Sequence, residues 1–301
     1  MDYIMELRHI RYFLVLAEEK NFTKAADRLM MAQPPLSRQI RDLEEELGAE
    51  LFLRSSRGVT LTEAGEKFRQ YAMQIEHLSN QSVEVIKEMN KGLQGTLYLA
   101  SVDGQAPHLI SNWIAGFHNI YPNVEFNLWS GNSDDVLKRL KEGLCDLALI
   151  VGPYDQESLE CMFVYEEPWI AMIPATNPLA NIGGNEIALE ALADYELIIP
   201  SRHSRLQEIT GWFAAKGVKP KVVCRMAHII NAFELTEQNV GIAIYPAAAG
   251  AYADKDRVVV KNIVEPKVSA SYYLANSVNK EMSLVAKEFW KYVSENTIRE
   301  K

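Results

Sequence analysis

Residues 22–65, FTKAADRLMMAQPPLSRQIRDLEEELGAELFLRSSRGVTLTEAG, constrain the fold more tightly than any other stretch, because two helices, a break and a hairpin are spelled out in order. Thr23 is a residue type suited to an N-cap and precedes a helix-forming run with Ala25, Ala26 and Leu29. Residues 30–33 make the break. A second helix is predicted to start at Pro34 and Pro35, where proline is tolerated because first-turn amides lack an intrahelical partner. At about 100° per residue, Leu36, Ile40, Leu43 and Leu47 fall in one narrow apolar stripe. Pro34, Ser37, Arg38 and Arg41 lie opposite. Residues 51–61 alternate and turn between Ser55 and Gly58, which predicts a two-stranded wing.

A short helix, a tight turn and a second helix with polar and basic residues on its exposed N-terminal face is helix-turn-helix geometry. That half of the second helix enters the major groove of DNA. Gln33 has the reach and chemistry for an adenine edge, Arg38 for a guanine edge, and Ser37 for a base or a phosphate. The wing would carry Arg54 and Arg57 to phosphates or the minor groove. The competing reading is an acidic amphipathic pair with no ligand. Residues 1–65 hold nine Lys+Arg against eleven Asp+Glu, so the module nets −2 and lacks the usual basic footprint. Placement answers this objection: Asp42, Glu44, Glu45 and Glu46 crowd the far end of the second helix, whereas the arginines sit where DNA would lie.

At these residues the chain resembles the LysR-type transcriptional regulators. ELRHIRYFLVLAEEKNFTKAADRL, AQPPLSRQIRDLEEELGAELFLR and LTEAGEKF carry the resemblance from Glu6 to Phe68. It implies sequence-specific binding of double-stranded DNA. By resemblance, Gln33, Pro34, Ser37 and Arg38 align with base- and backbone-contacting positions, Arg54 with the wing arginine, and Lys24, beside Thr23, with a phosphate contact.

From Thr62 the chain reads as one long helix ending near Lys91 and Gly92, with Thr62 as N-cap and Glu63 and Glu66 favoured by the dipole of the first turn. Gly92 and Gly95 close it and supply a hinge. Ala64, Phe68, Tyr71, Ile75, Leu78, Ser82, Val85 and Met89 recur at spacings of four and three, the pattern of a coiled-coil seam. Packing on its own domain is the alternative. A seam this long and narrow predicts a homodimer, which suits a dyad-symmetric operator; the resemblance adds a homotetramer, with RNA polymerase as a further partner.

Beyond Gly95, strands are predicted at 96–102, 124–129, 147–151, 169–173, 197–199, 222–224, 241–244, 258–260 and 269–275. Helices are predicted at 106–119, 133–142, 204–215, 229–237 and 281–295. The alternation implies an α/β fold with mainly parallel sheets. Extended crossings at 163–166 and 266–269 would divide it into two lobes. The organisation expected is therefore a winged helix-turn-helix at 1–61, a linker and dimerisation helix at 62–92, and an effector-binding domain at 93–301. Lobe I covers about 93–163 and 268–301, lobe II about 164–267. This half resembles the family's effector domain, itself similar to type 2 periplasmic binding proteins, through GTLYLAS, FHNIYPNVEFNLWSGNSDDVLKRLKEGLCDLALI, PWIAMIPATNPLA and NVGIAIYP. It departs from the family at His228, where a small polar residue is usual, and at Asn239, near a usual glycine.

Ligands in open α/β sheets sit at the C-terminal strand ends. Ser101 ends the first strand of this half; Asn132 and Ser133 end the second and open a helix whose amides can take an anion. Ser201, Arg202, His203 and Ser204 follow the strand at 197–199, and His228 adds titratable character suited to a carboxylate. Ser133 and Ser204 serve equally as plain N-caps, and surface solvation is the simpler reading of Arg205.

The net charge of −9 disfavours indiscriminate nucleic-acid binding. No apolar run is long enough to span a bilayer and no secretory leader is evident, so a cytoplasmic location is expected. Cys145, Cys161 and Cys224 form no CxxC pair, and the six histidines show no HxxxH or HExxH spacing, so no metal or cofactor is expected. Two rivals stay open. A solute-binding module fits the lobes but leaves the reader without a purpose. An enzyme would need a nucleophile, base and orienter that no motif assembles.

Overall fold

A computed structural model describes residues 5–55, 58–91, 93–154 and 157–297. It contains two compact units whose chain boundary falls between residues 92 and 93. The first holds α1 (Leu7–Glu19), α2 (Phe22–Arg28), α3 (Gln33–Leu47), β1 (Phe52–Ser55), β2 (Gly58–Leu61) and α4 (Glu63–Lys91). Helix α1, which the motif reading leaves out, supplies the centre of the core. Its Ile10, Phe13 and Leu16 are buried with Ala25 and Ala26 of α2 and Leu36, Ile40 and Leu43 of α3. The Phe13 ring lies 5.1 Å from Phe52 and 4.8 Å from Phe68, joining α1 to the wing and to α4.

Helix α2 is capped by Asn21, not by Thr23. The Asn21 side chain accepts from the Thr23 and Lys24 amides at 2.9 and 3.1 Å, so Thr23 already lies inside the helix. An N-cap oxygen bonds the amides two and three residues on, and the carbonyl of Asn21 has that reach. Helix α3 begins one residue before the predicted proline pair, with Ala32 as N-cap. Its apolar stripe is buried as expected, except that Leu47 stays half-buried. The strands of the wing pair antiparallel, Phe52 opposite Leu61. Gly65 is required where α4 passes the wing, because a Cβ there would collide with the Leu51 carbonyl.

Thr62 caps α4: its hydroxyl accepts from the Gly65 amide at 2.9 Å and donates to the Glu50 carbonyl at 2.7 Å. The predicted seam, however, splits between two faces. Phe68 and Ile75 pack against the core of their own unit, beside fully buried Ala72. Tyr71 and Leu78, 56% and 65% exposed, point away from it. Helix α4 thus packs on α1 as well as offering a free stripe. The side chains of Val85 and Met89, and Gly92 of the expected hinge, lie outside the described residues.

The second unit contains β3 (Gly95–Ser101), α5 (Ala106–Ile120), β4 (Val124–Ser130), α6 (Ser133–Lys141), β5 (Leu147–Val151), β6 (Leu159–Pro174), β7 (Glu186–Ala188), β8 (Glu196–Pro200), α7 (His203–Ala215), β9 (Lys221–Met226), α8 (Ile229–Glu237), β10 (Ile242–Pro246), β11 (Val258–Glu265), β12 (Ser269–Ser277) and α9 (Leu284–Thr297). Strands are hydrogen-bonded in the order β4-β3-β5-β12-β6-β10-β8-β9, with β11 on β6 and β7 on β11. The expectation of mainly parallel sheets is corrected. β3 pairs parallel with β4 and β5, β8 with β9 and β10, and β7 with β11, but β6 and β12 make antiparallel ladders. The cause is the long strand β6. Its residues up to Pro168 pair with β12 in lobe I, and those from Trp169 pair with β10 in lobe II. The first crossing therefore lies at Pro168 and Trp169, later than 163–166, and occurs within a strand. The second, between β11 and β12, lies where expected.

Candidate nucleic-acid interface and ligand cleft

Helix α3 presents Gln33, Pro34, Arg38 and Arg41 as exposed residues, with Ser37 half-buried among them. The same helix buries Leu36, Ile40 and Leu43, so core packing fixes which side chains face outward. Thr23 and Lys24 are exposed in the first turn of α2. Arg54, on β1, is tied back to α3. Its guanidinium donates to Ser37 Oγ and to Glu44 Oε2, each at 3.4 Å, and lies 4.9 Å from the Phe22 ring centre. Glu44 also accepts from the Leu51 and Phe52 amides at 2.8 and 3.0 Å, which anchors the wing to the reading helix. Glu44 is therefore not simply one of the acids kept clear of DNA; it is a strut. Arg57 lies outside the described residues.

The ion pairs settle the charge objection. Arg8 pairs with Glu6, and Arg28 with Glu18 and Glu19. Among the described residues, Lys24, Arg38 and Arg41 have no carboxylate partner. These three exposed cations on α2 and α3 are thus uncompensated although the module as a whole is acidic.

In the second unit, the C-terminal ends of β3, β4, β5, β8, β9 and β10 surround a cleft of about 440 Å³ between the lobes. Its wall approaches closely at Gly104, whose φ of 86° and 2.8 Å spacing from a Cβ to the Tyr272 hydroxyl exclude a side chain. Of the sequence-derived residues, Asn132, Ser133, Ser201, Arg202 and His203 line this cleft. Three do not. Ser101 is fully buried, its hydroxyl 3.3 Å from that of Ser130, because its strand turns it inward. Ser204 is on α7 with its hydroxyl buried and unpartnered. His228 stands 54% exposed at the start of α8, its Nδ1 3.6 Å from Asp103.

Asn132 is occupied in part as a helix cap. Its side chain accepts from the Asp134 and Asp135 amides at 3.0 Å, which leaves Ser133 inside α6 rather than capping it. Arg202 reaches from lobe II to lobe I with all three guanidinium nitrogens: Nε to Asp134 at 3.0 Å, and Nη1 and Nη2 to the Val151 and Pro153 carbonyls at 3.2 and 3.3 Å. The His228–Asp103 contact is a second polar link across the cleft.

Sequence reasoning missed the floor. Trp169, Arg205, Tyr245 and Tyr272 all line the cleft. The solvated reading of Arg205 is wrong: it is only 5% exposed, donates to Glu208 and lies 5.2 Å from the Trp169 ring centre. A signal was available, since Arg205, Ile209 and Phe213 share the buried face of α7 at spacings of four. Beneath the floor the Tyr272 hydroxyl donates to Glu167 at 2.5 Å, and the Ala248 amide donates to the other carboxyl oxygen at 2.6 Å. Burial raises the Glu167 carboxyl above its ordinary range, against the pull of both hydrogen bonds.

Two of the thiols are far from thiolate chemistry. Burial pushes Cys145 up to about 12 and Cys161 up to about 11, and all three cysteines are free. Among the described residues no cluster of three metal-ligating side chains occurs, and no helix is long and apolar enough to cross a membrane.

Two family models match the chain. Residues 7–66 match the bacterial regulatory helix-turn-helix protein, lysR family, and residues 90–297 match the LysR substrate binding domain. The HTH-type transcriptional regulator BenM of Acinetobacter baylyi is 31% identical over 247 residues, covering 81% of each chain. BudR of Raoultella terrigena, also an HTH-type transcriptional regulator, is 32% identical over 80% of this chain and 84% of that one. Among solved structures, full-length CbnR complexed with its target DNA shares the fold, with a TM-score of 0.76, 24% identity, and coverage of 97% of this chain and 99% of that one.

Proposed function

Because the chain belongs to the LysR family of transcriptional regulators, DNA-binding proteins with an effector-binding domain, we propose that helix α3 reads a dyad-symmetric operator and that a small aliphatic or aromatic carboxylate, held between the lobes, gates the reading. The observation that carries the first part is the set of uncompensated cations and amide-bearing side chains on one exposed ridge. Gln33, Ser37 and Arg38 face bases, and Thr23, Lys24, Pro34, Arg41, Arg54 and Arg57 face the backbone or the wing's groove. CbnR, which shares the fold, has been crystallised on its target DNA.

The observation behind the gate is the cleft itself, bridged by Arg202–Asp134 and His228–Asp103. A ligand that competes for these groups changes the balance between open and closed lobes by its differential affinity for the two. Strand β3, which borders the cleft, follows α4 directly in the chain. Two chains pair through the free stripe of α4 and, with a second contact between effector domains, form a tetramer. Its site of action is then the cytoplasm.

The test is anisotropy of labelled upstream promoter fragments against the purified full chain, with and without a carboxylate panel. A salt-dependent, sequence-selective complex whose affinity or DNA bend shifts with a carboxylate is expected. Binding of equal strength to any duplex would refute the first part.

A further inference from the structure

Three buried polar atoms on the cleft residues have no partner among the described residues: Arg205 Nη2, Trp169 Nε1 and the Tyr245 hydroxyl. The three residues are 5%, 0% and 5% exposed. An unmet buried donor keeps its full desolvation cost, and two of these atoms can only donate. They are covered as the cleft stands. What they lack is a ligand oxygen.

We infer that Arg205, with the Trp169 indole N–H beside it, is the anion receptor of the cleft, and that its ligand is a small monocarboxylate. The inference rests on the cleft being the effector site. Arg202, the arginine that sequence position favours, has each of its three guanidinium nitrogens engaged, with Asp134, Val151 and Pro153 of the opposite lobe; it positions the lobes instead. Arg205 has spent only Nη1, on Glu208. Its guanidinium rests on the indole face, which holds it in place and leaves Nη2 to the ligand.

Charge sets the valency. Asp134 balances Arg202 and Asp103 faces His228, so a second ligand carboxylate would meet acidic neighbours instead of a free cation. Val102, Val151, Met226 and Tyr272 give the wall an apolar and aromatic stretch, beside the polar Asn132, Ser133, Ser201 and His203, that takes a hydrocarbon body. The Tyr245 hydroxyl is left for an oxygen on that body.

The test uses propionate, the neutral propionamide and the dianionic malonate against the full chain, by calorimetry and thermal shift at constant ionic strength. Propionate should stabilise the wild type, and propionamide and malonate should do so much less. Arg205→Gln should weaken propionate about tenfold or more, and Trp169→Phe, which keeps the ring and removes the N–H, about threefold to tenfold. Equal propionate binding by wild type, Arg205→Gln and Trp169→Phe would overturn the assignment while leaving the interlobe site standing. A larger effect of Arg202→Gln than of Arg205→Gln would reverse the roles given to the two arginines. No response of the wild type to propionate would remove the carboxylate reading altogether.

Discussion

Replacing Leu78 with Asp separates the two faces of helix α4. Burying a leucine side chain contributes about 1.5–3 kcal/mol, and Leu78 is 65% exposed in the single chain, so about 1–2 kcal/mol is still available to a partner. A twofold dimer buries it twice. Leu78→Asp should therefore cost self-association at least about 2–4 kcal/mol, before any penalty for desolvating the new carboxylate, or about 30- to 700-fold in the dimer Kd. Sedimentation velocity over a concentration series reads this directly, and the melting temperature of the variant should stay near that of the wild type. Ile75→Asp is the contrasting variant. Ile75 packs against the core of its own unit, so a carboxylate there should unfold the reader module by several kcal/mol, visible as a lowered melting transition. Wild-type self-association by Leu78→Asp would refute the assignment of the free stripe to a partner helix. Ile75→Asp that melted normally would refute the split of the seam.

On DNA, Arg38→Ala should cost about 1–3 kcal/mol in anisotropy titrations and relax discrimination at one operator position, whereas Lys24→Ala should weaken all sequences alike and lower the salt slope by about 1. Arg54→Ala should act like Lys24→Ala on DNA and also loosen the wing, because Glu44 and Ser37 lose their partner. Leu36→Ala, at a fully buried site on α3, should cost about 2–5 kcal/mol in denaturant unfolding of the reader. Glu167 has its folded pKa raised, so its share of stability is complete below the ordinary carboxylate range and is lost as pH rises through the raised value. Glu167→Gln should therefore gain stability relative to wild type as pH rises above the ordinary carboxylate range, and a difference that stays constant through that rise would contradict the buried carboxyl.

Much of the fold was legible because local rules and tertiary packing agree. The stripe of Leu36, Ile40 and Leu43 is both a helical period and the buried face of α3. Strand β5, a continuous apolar run, and helix α8 fall at their expected bounds. Where two assignments were locally equivalent, sequence chose wrongly. Thr23 and Asn21 are both good capping residues, and only the backbone course into α2 selects Asn21. Strand β6 looked like a short strand after a crossing because Pro168 interrupts it.

For the ligand cleft the divide has a physical cause. Helix starts and strand ends are read from short-range patterns, and these located Asn132, Ser133, Ser201, Arg202 and His203 on its wall. The role of each depends on what faces it from the other lobe, far away in the chain. Arg202 and Arg205 are three residues apart and chemically identical. One meets Asp134 and two carbonyls across the cleft; the other lies on Trp169, which β6 delivers where it passes from one lobe to the next. Sequence by itself determined the reader, because its helix, turn, helix and wing are contiguous and each is encoded locally. Only the tertiary structure decided which arginine is free to hold an anion and which face of α4 is free for a second chain. Hydrogen-bonding capacity and exposed apolar area are what remains after distant partners have taken their share.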